Sequence, residues 1–256
     1  MAHPPEPIRQ YGKTQPLRYR IAPVSDATHF TDPAGDECLD IAPQRLDLPD
    51  GEAWYYPEAF APPVADDLFR QLRERVAWRA EEIVVFGVRR RVPRLVAWHG
   101  DPGASYRYSG VAHDPEPWIP PLAALRARVE ALTGRSFNSV LLNLYRDGRD
   151  GMGWHADDEP ELGPDPVIAS LSLGATRRFR MRHRKRRDAR LDLDLMHGSL
   201  LLMGGATQHH WLHAVPKTSR PVGERINLTF RRILPRPVAA PGGGAGTGAG
   251  LSSADS

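Results

Sequence analysis

The sequence predicts a mainly β chain with flanking helices, an α+β protein whose core is a sandwich or jelly roll. Three observations lead there. Between residues 137 and 233 the chain runs in short apolar or alternating segments, at 137–146, 166–173, 178–183, 191–195, 199–203, 209–213 and 225–233, with Gly, Asp and Pro between them. Short strands at that spacing are the pattern of sandwiches and jelly rolls. Two helical patterns precede them. Apolar residues make up 41% and charged residues 25%, ordinary values for a globular chain long enough to bury one core.

In chain order, residues 1–53 are rich in Pro, Asp and turn formers with no sustained period, so a loosely ordered arm is expected, with Ile21, Leu39 and Leu46 available to dock locally. The compact part runs from 54 to 235 and opens on Trp54-Tyr55-Tyr56-Pro57. Leu68, Leu72 and Val76, spaced by four, predict an amphipathic helix over 64–78. Residues 83–86 read as a short apolar strand broken at Gly87, 89–94 as a basic loop, and 95–98 as a further short strand. Tyr106-Arg107-Tyr108 alternates and sets both tyrosines on one face. The helix over 120–133 is the best marked: prolines open it, Leu122, Leu125, Val129 and Leu132 form its stripe, and Gly134 closes it. Residues 137–235 supply the strands. The stretch 236–256 is Pro, Gly, Ala and Ser without an apolar face, a disordered tail.

Composition excludes several classes. A single cysteine, Cys38, forms no intrachain disulfide, which fits a reducing, cytoplasmic setting. The first ten residues lack the apolar core of a signal peptide, and no apolar run reaches transmembrane length, so no membrane partner is expected. The net charge is only +3, but arginines cluster at 89–94 and 182–187, and such clusters say more about partners than the total does.

The chemistry centres on Gly153-Trp154-His155-Ala156-Asp157-Asp158. Residues two apart in an extended segment point the same way, so His155 and Asp157 can reach one metal together. With a distant second imidazole they form a 2-His-1-carboxylate triad, a set that leaves open positions and suits non-haem Fe(II) activating O2. Spacing leaves the second histidine open between His209 and His213, which share a strand face with Trp211, with His197 also available. Two other strands carry polar faces. In 137–146, Asn143 and Tyr145 share one side. In 225–233, Arg225, Asn227, Thr229 and Arg231 alternate with Ile226, Leu228 and Phe230. That face is either the solvated side of an edge strand or an interior wall whose guanidinium forks hold a small dicarboxylate such as a 2-oxo acid.

Asn143-Leu-Tyr145-Arg-Asp-Gly, Gly153-Trp-His155-Ala-Asp157-Asp158-Glu159, His210-Trp-Leu-His213-Ala-Val-Pro216 and Arg225-Ile-Asn-Leu-Thr229-Phe-Arg231, in that order, resemble the AlkB family of Fe(II)/2-oxoglutarate-dependent dioxygenases, closest to its animal-type DNA-repair homologues. The likeness runs from about Trp54 to Leu234. It implies a double-stranded β-helix core at 137–235 and a nucleotide-recognition lid with supporting helices at 54–136. It implies Fe(II) held by His155, Asp157 and His213, 2-oxoglutarate held by Asn143, Tyr145, Arg225, Thr229 and Arg231, and O2 as oxidant. It assigns the target base to Phe86, Gly87, Tyr106, Tyr108, the ring of His155 and Asp158, and the nucleic-acid backbone to Arg89, Arg90, Arg91 and Arg94.

The implied activity is oxidative dealkylation of 1-methyladenine and 3-methylcytosine type lesions in DNA, with RNA as a further substrate, by a monomer. A target base has to leave the helix to reach the metal, and Phe86, ahead of a glycine, is placed to fill the gap it leaves. Two other readings share the core motifs: an oxygenase of the same chemistry acting on a protein or small molecule, and a catalytically silent nucleic-acid-binding module.

Overall fold

The computed structural model describes residues 22–23, 42–85, 87–108 and 111–234. In chain order it holds β1 (Ala22–Pro23), β2 (Gln44–Leu46), β3 (Glu52–Tyr56), α1 (Pro62–Arg75), β4 (Arg79–Val85), β5 (Val88–Gly100), β6 (Tyr106–Tyr108), β7 (Val111–His113), α2 (Pro120–Thr133), β8 (Ser139–Tyr145) and β9 (Met152–His155). A 3-10 turn at Pro160–Leu162 leads to β10 (Ile168–Gly174), β11 (Arg177–His183), β12 (Arg190–Leu195), β13 (Ser199–Gly204), the one-turn α3 (Thr207–His210), β14 (Trp211–Val215) and β15 (Arg225–Arg231).

The strands form a nine-stranded sheet in the order β1-β2-β3-β13-β10-β15-β8-β5-β4, a four-stranded sheet in the order β12-β11-β14-β9, and a separate β6–β7 pair. Two buried clusters show how the layers stack. One joins Leu72 of α1 and Leu122, Leu125 and Val129 of α2 to Leu142, Leu144, Leu171, Leu200, Leu228 and Phe230 of the large sheet. The other joins Tyr55, Ile168 and Leu201 of the large sheet to Phe179, Met181, Leu191 and Trp211 of the small one. Helices therefore cover one face of the large sheet and the small sheet covers the other, the mainly β jelly-roll architecture expected. Leu142, Leu171 and Leu228 are fully buried, and each such side chain contributes roughly 1.5–3 kcal/mol.

α1 and α2 start on prolines, whose missing N–H costs nothing in the first turn. α2 spans 120–133 as the periodicity predicts and ends on Gly134 in the left-handed region, φ 63°. α1 ends where Val76 turns extended, and its stripe residue Leu72 is buried. Gly174 ends β10 at φ 86°, where a Cβ would lie 2.5 Å from Glu224 O and 2.7 Å from the Phe69 ring.

Four sequence expectations need correction or completion. The run 89–94 is not a loop: it lies inside β5, paired through Arg89–Arg91 with Val84–Glu82 of β4, after a tight turn at Gly87, φ 76°. Residues 209–213 are not one strand, because Thr207–His210 is a helical turn and the strand begins at Trp211. β15 is no edge strand. It lies between β10 and β8 and pairs with both along its length, and its residues 225–230 are all buried, so both its faces are covered as well. Finally, Gln44–Leu46, in the stretch read as an arm, pairs with β3, and Leu46 is buried in the inter-sheet core. Ile21, Leu39 and Cys38 lie outside the described residues.

Candidate active site and metal centre

β15 explains the position of the site. Its even-numbered residues, Ile226, Leu228 and Phe230, pack towards the helices, which turns Arg225, Asn227, Thr229 and Arg231 into the space between the sheets. Its neighbour β8 does the same, burying Leu142 and Leu144 with the helices and turning Asn143 and Tyr145 inward. From the opposite sheet, β14 and β9 pair with His213 directly across from His155. Asp157 follows just beyond the end of β9. A cavity between the sheets is lined by His155, Asp157, His213, Asn143, Tyr145, Thr229 and Arg231, together with Met152, Ser170, Phe179 and Asn227. Arg225 is not on that wall. Its guanidinium carbon sits 5.2 Å from the centre of the Tyr145 ring.

His155, Asp157 and His213 present ligand atoms that all lie within 4.8 Å of one another, and the two imidazole centres are 4.2 Å apart. His155 Nδ1 faces the Gly153 carbonyl at 2.9 Å. A carbonyl only accepts, so Nδ1 carries the proton and Nε2 keeps its lone pair for a metal. Asp157 is 3% exposed. Its backbone N–H donates to Gln208 Oε1 at 3.0 Å, and its Oδ1 accepts from Arg231 Nη2 at 2.5 Å. Burial works against ionisation of Asp157, but the permanent charge of Arg231, the foremost of its neighbours, favours the carboxylate, and the carboxyl lies below its ordinary range. Burial, with His155 beside it, pushes His213 down to about 3 against the pull of Asp157. His213 is thus neutral beside a carboxylate, and with His155 the cluster offers two imidazoles and one carboxylate, the donor set that Fe(II) takes in open three-ligand sites. His213 Nδ1 is buried without a hydrogen-bond partner.

The co-substrate side carries a second unmet demand. Arg225 is 1% exposed. Nη2 donates to Ser172 Oγ at 2.9 Å, while Nε and Nη1 are buried without partners. Burial lowers Arg225 to about 10, with Tyr145 opposing and Arg177 adding to the shift. It stays charged at neutral pH, and a buried cation with two free N–H directions fits a carboxylate. Arg231 Nε is likewise buried and unpartnered.

The other expected residues fall into three groups. Asp158 does not line the cavity. It is exposed and paired with Arg184 at 2.8 Å. Arg89, Arg90 and Arg91 are exposed on β5, but Arg94, half-buried on the same strand, donates from Nε to Asn143 Oδ1 at 2.6 Å. Tyr106 and Tyr108 form β6, paired with β7, and Phe86 lies outside the described residues. Of the basic run 182–187, Arg182 stacks 4.4 Å over the exposed ring of Trp154. Two residues were not found by sequence reasoning. Gln208 is fully buried behind Asp157. Arg177 donates to the carbonyls of Asp147, Asp150 and Pro216 and lies 5.7 Å from the Tyr145 ring. Neither sits in a motif. A buried position in an alternating strand is the only signal Arg177 gives.

A jelly roll with a His-Asp-His cluster and inward arginines between its sheets defines an Fe(II)/2-oxo acid oxygenase, and comparison with known proteins agrees. The profile of the 2OG-Fe(II) oxygenase superfamily matches residues 52–231. Mouse DNA oxidative demethylase ALKBH2 is 44% identical over 190 residues, 70% of this chain and 80% of that protein. Rat alpha-ketoglutarate-dependent dioxygenase alkB homolog 3 is 44% identical over 187 residues, 70% of this chain and 63% of that protein, so this chain spans less than two thirds of that relative. Arabidopsis thaliana ALKBH2 is 37% identical over 222 residues, 75% of this chain and 71% of that protein. The solved structure of OsALKBH1 superposes with a TM-score of 0.53 over 73% of this chain and 99% of that one, at 17% identity, a likeness of fold. The chain belongs to the 2OG-Fe(II) oxygenase superfamily and, within it, to the AlkB family. Fe(II), 2-oxoglutarate and O2 come with that membership.

Proposed function

We propose that this protein removes alkyl groups oxidatively from N-alkylated bases in DNA, of the 1-methyladenine and 3-methylcytosine type, with RNA as a further substrate class, releasing formaldehyde, succinate and CO2. One observation carries the reading: a single inter-sheet cavity joins three ligand side chains to inward polar groups suited to a dicarboxylate, in a chain similar to proteins named DNA oxidative demethylase. His155, Asp157 and His213 hold the iron. Arg225 and Arg231 meet the carboxylates of 2-oxoglutarate, with Asn143, Tyr145 and Thr229 hydrogen-bonding the same molecule.

When bound, iron and 2-oxoglutarate supply the oxidant that puts one oxygen atom of O2 into the methyl C–H bond, the other going to succinate. The N-hydroxymethyl group then leaves as formaldehyde. The protein's own work is placement. The large sheet's inner face fixes the co-substrate, and the Gly153 carbonyl, by accepting a hydrogen bond from Nδ1, leaves His155 Nε2 a lone pair for the metal. Phe86, Gly87, Tyr106, Tyr108, His155 and Asp158 are assigned to the flipped base, and Arg89, Arg90 and Arg91 on the exposed part of β5 to phosphates. In this reading 54–136 forms the recognition lid and 137–235 the catalytic core. No helix among the described residues is long and apolar enough to cross a membrane. With one cysteine in the chain, we place the protein in the cytoplasm, as a monomer.

The test is mass spectrometry of oligonucleotides carrying 1-methyladenine or 3-methylcytosine after incubation with Fe(II), 2-oxoglutarate and the protein. Mass loss of one methylene per lesion, with formaldehyde appearing in equal amount, is expected. Turnover of 2-oxoglutarate with intact lesions would overturn the substrate assignment.

A further inference from the structure

We propose that Arg94 is a positioning residue of the co-substrate pocket, acting through Asn143. It fixes the Asn143 side chain so that the amide nitrogen is presented to a 2-oxoglutarate carboxylate. This deepens the reading above and rests on Asn143 being a co-substrate contact.

The placement follows from the strand. β5 pairs with β8 so that Val96 faces Asn143 and Leu95 faces Leu144. Arg94 has the parity of Val96 and Trp98. Val96 is 3% exposed, and Trp98 packs against the inter-sheet cluster. Arg94 is therefore on the inward side of the strand, whereas Arg89, Arg90 and Arg91 are all exposed. Its Nε donates to Asn143 Oδ1 at 2.6 Å, and Asn143 is 2% exposed.

The consequence comes from donor and acceptor inventory. The two ends of an asparagine amide are nearly the same shape, and either can face a pocket. A guanidinium has only donors, so the end facing Arg94 has to be the oxygen. The NH2 group is then the end left for the cavity that Asn143 lines. A carboxylate accepts from NH2 and is repelled by an amide oxygen. Without Arg94 the amide turns freely between a binding and a repelling orientation. A charge-assisted bond at this distance is among the stronger locks a protein has.

The test uses the full chain loaded with Mn(II) in place of Fe(II), without nucleic acid, and reads 2-oxoglutarate affinity by calorimetry. Arg94→Met should weaken that affinity about tenfold, the lower end of what losing a supporting hydrogen bond behind a ligating group does. Arg94→Lys, still a pure donor, should restore part of it and serves as the second variant if the Met form folds poorly. In an Asn143→Ala background, Arg94→Met should cause no further loss. Equal loss in both backgrounds would mean Arg94 acts independently of Asn143, and overturns the proposal. Unchanged 2-oxoglutarate affinity, with weaker and less salt-sensitive oligonucleotide binding, would make Arg94 a phosphate contact only and overturns it as well. If Asn143→Ala alone leaves affinity unchanged, Asn143 is no co-substrate contact, and the proposal falls together with that assignment.

Discussion

The guanidinium of Arg225 lies 5.2 Å from the ring centre of Tyr145, with two of its three nitrogens buried and unpartnered. A cation in that setting is costly unless an anion completes it. Arg225→Met should therefore leave thermal stability unchanged or raised, because an apolar chain of similar length replaces a poorly compensated charge. The same change should weaken 2-oxoglutarate binding by at least about 2 kcal/mol, the loss typical when one partner of a buried charge pair is removed. Melting curves beside co-substrate titrations check it. Lower stability with unaltered affinity would make Arg225 a structural residue.

Asp157 is the one carboxylate of the metal cluster, and Arg231 reaches it at 2.5 Å. Asp157→Ala should abolish stoichiometric Fe(II) binding and turnover, since one ligand of three is lost, while far-ultraviolet circular dichroism stays native. Metal analysis after anaerobic loading decides. Retained iron would remove Asp157 from the ligand set.

How much of this was legible in the sequence depends on which distances an element needs. The alternation in 225–231 is local, so the shared face of Arg225, Asn227, Thr229 and Arg231 could be read directly. Whether that face met water or the interior depended on the small sheet packing over it, with Phe179 and His213 lining the same cavity as Asn227, Thr229 and Arg231, which alternation does not encode. The same gap explains 89–94. Consecutive arginines and Pro93 are loop-like in isolation, yet β4 pairs with Arg89–Arg91 and β8 with Leu95–Gly100, extending one strand through all of them. Pro93 loses little, because neither β4 nor β8 pairs with β5 at that residue, so no ladder bond needs its missing N–H, and its carbonyl still accepts from Gly151 N at 3.1 Å. His209 was a plausible ligand only while 209–213 counted as a strand. The turn at Thr207–His210, where Thr207 Oγ1 donates to Gly204 O and accepts from Glu52 N, breaks the count and leaves His213 facing His155.

The turn between β8 and β9 is held by Asp150, which is 4% exposed and accepts from Arg146 N, Nε and Nη2 at 3.0, 2.8 and 2.9 Å. Burial opposes its charge, but the Arg146 bonds prevail and hold the carboxyl below its usual value. The folded pKa is depressed, so the stabilisation is complete above the unfolded value of about 3.9 and is lost as pH falls through the folded one. Asp150→Asn should cost about 1–2 kcal/mol at neutral pH, the low end for bonds to a charged group because Arg146 is half exposed. The melting temperatures of wild type and variant should converge below about pH 4. A difference that persists undiminished at low pH would mean the loss is packing rather than charge.

Gln208 stands behind the metal cluster without belonging to it. It is fully buried in the turn before β14. Its Oε1 accepts the backbone N–H of Asp157 at 3.0 Å, and its Nε2 reaches Met203 Sδ at 3.7 Å. Asp157 lies beyond the end of β9, where no strand pairing holds its backbone, so this bond ties the ligand segment to the turn that leads into His213. Gln208→Leu keeps most of the volume and removes the acceptor. Leaving one buried N–H unsatisfied costs about 1–3 kcal/mol of stability, which a well-packed core tolerates. The larger effect should fall on the metal. Supporting partners of ligating groups typically carry about 10- to 100-fold in affinity, and Fe(II) or Mn(II) binding should drop in that range. The 2-oxoglutarate affinity of the metal-saturated protein should change much less, because Arg225, Tyr145 and Asn143 stand on other strands. Metal titration, co-substrate titration at saturating metal and a melting curve separate the outcomes. A lowered melting temperature with unchanged metal affinity would reduce Gln208 to a packing residue.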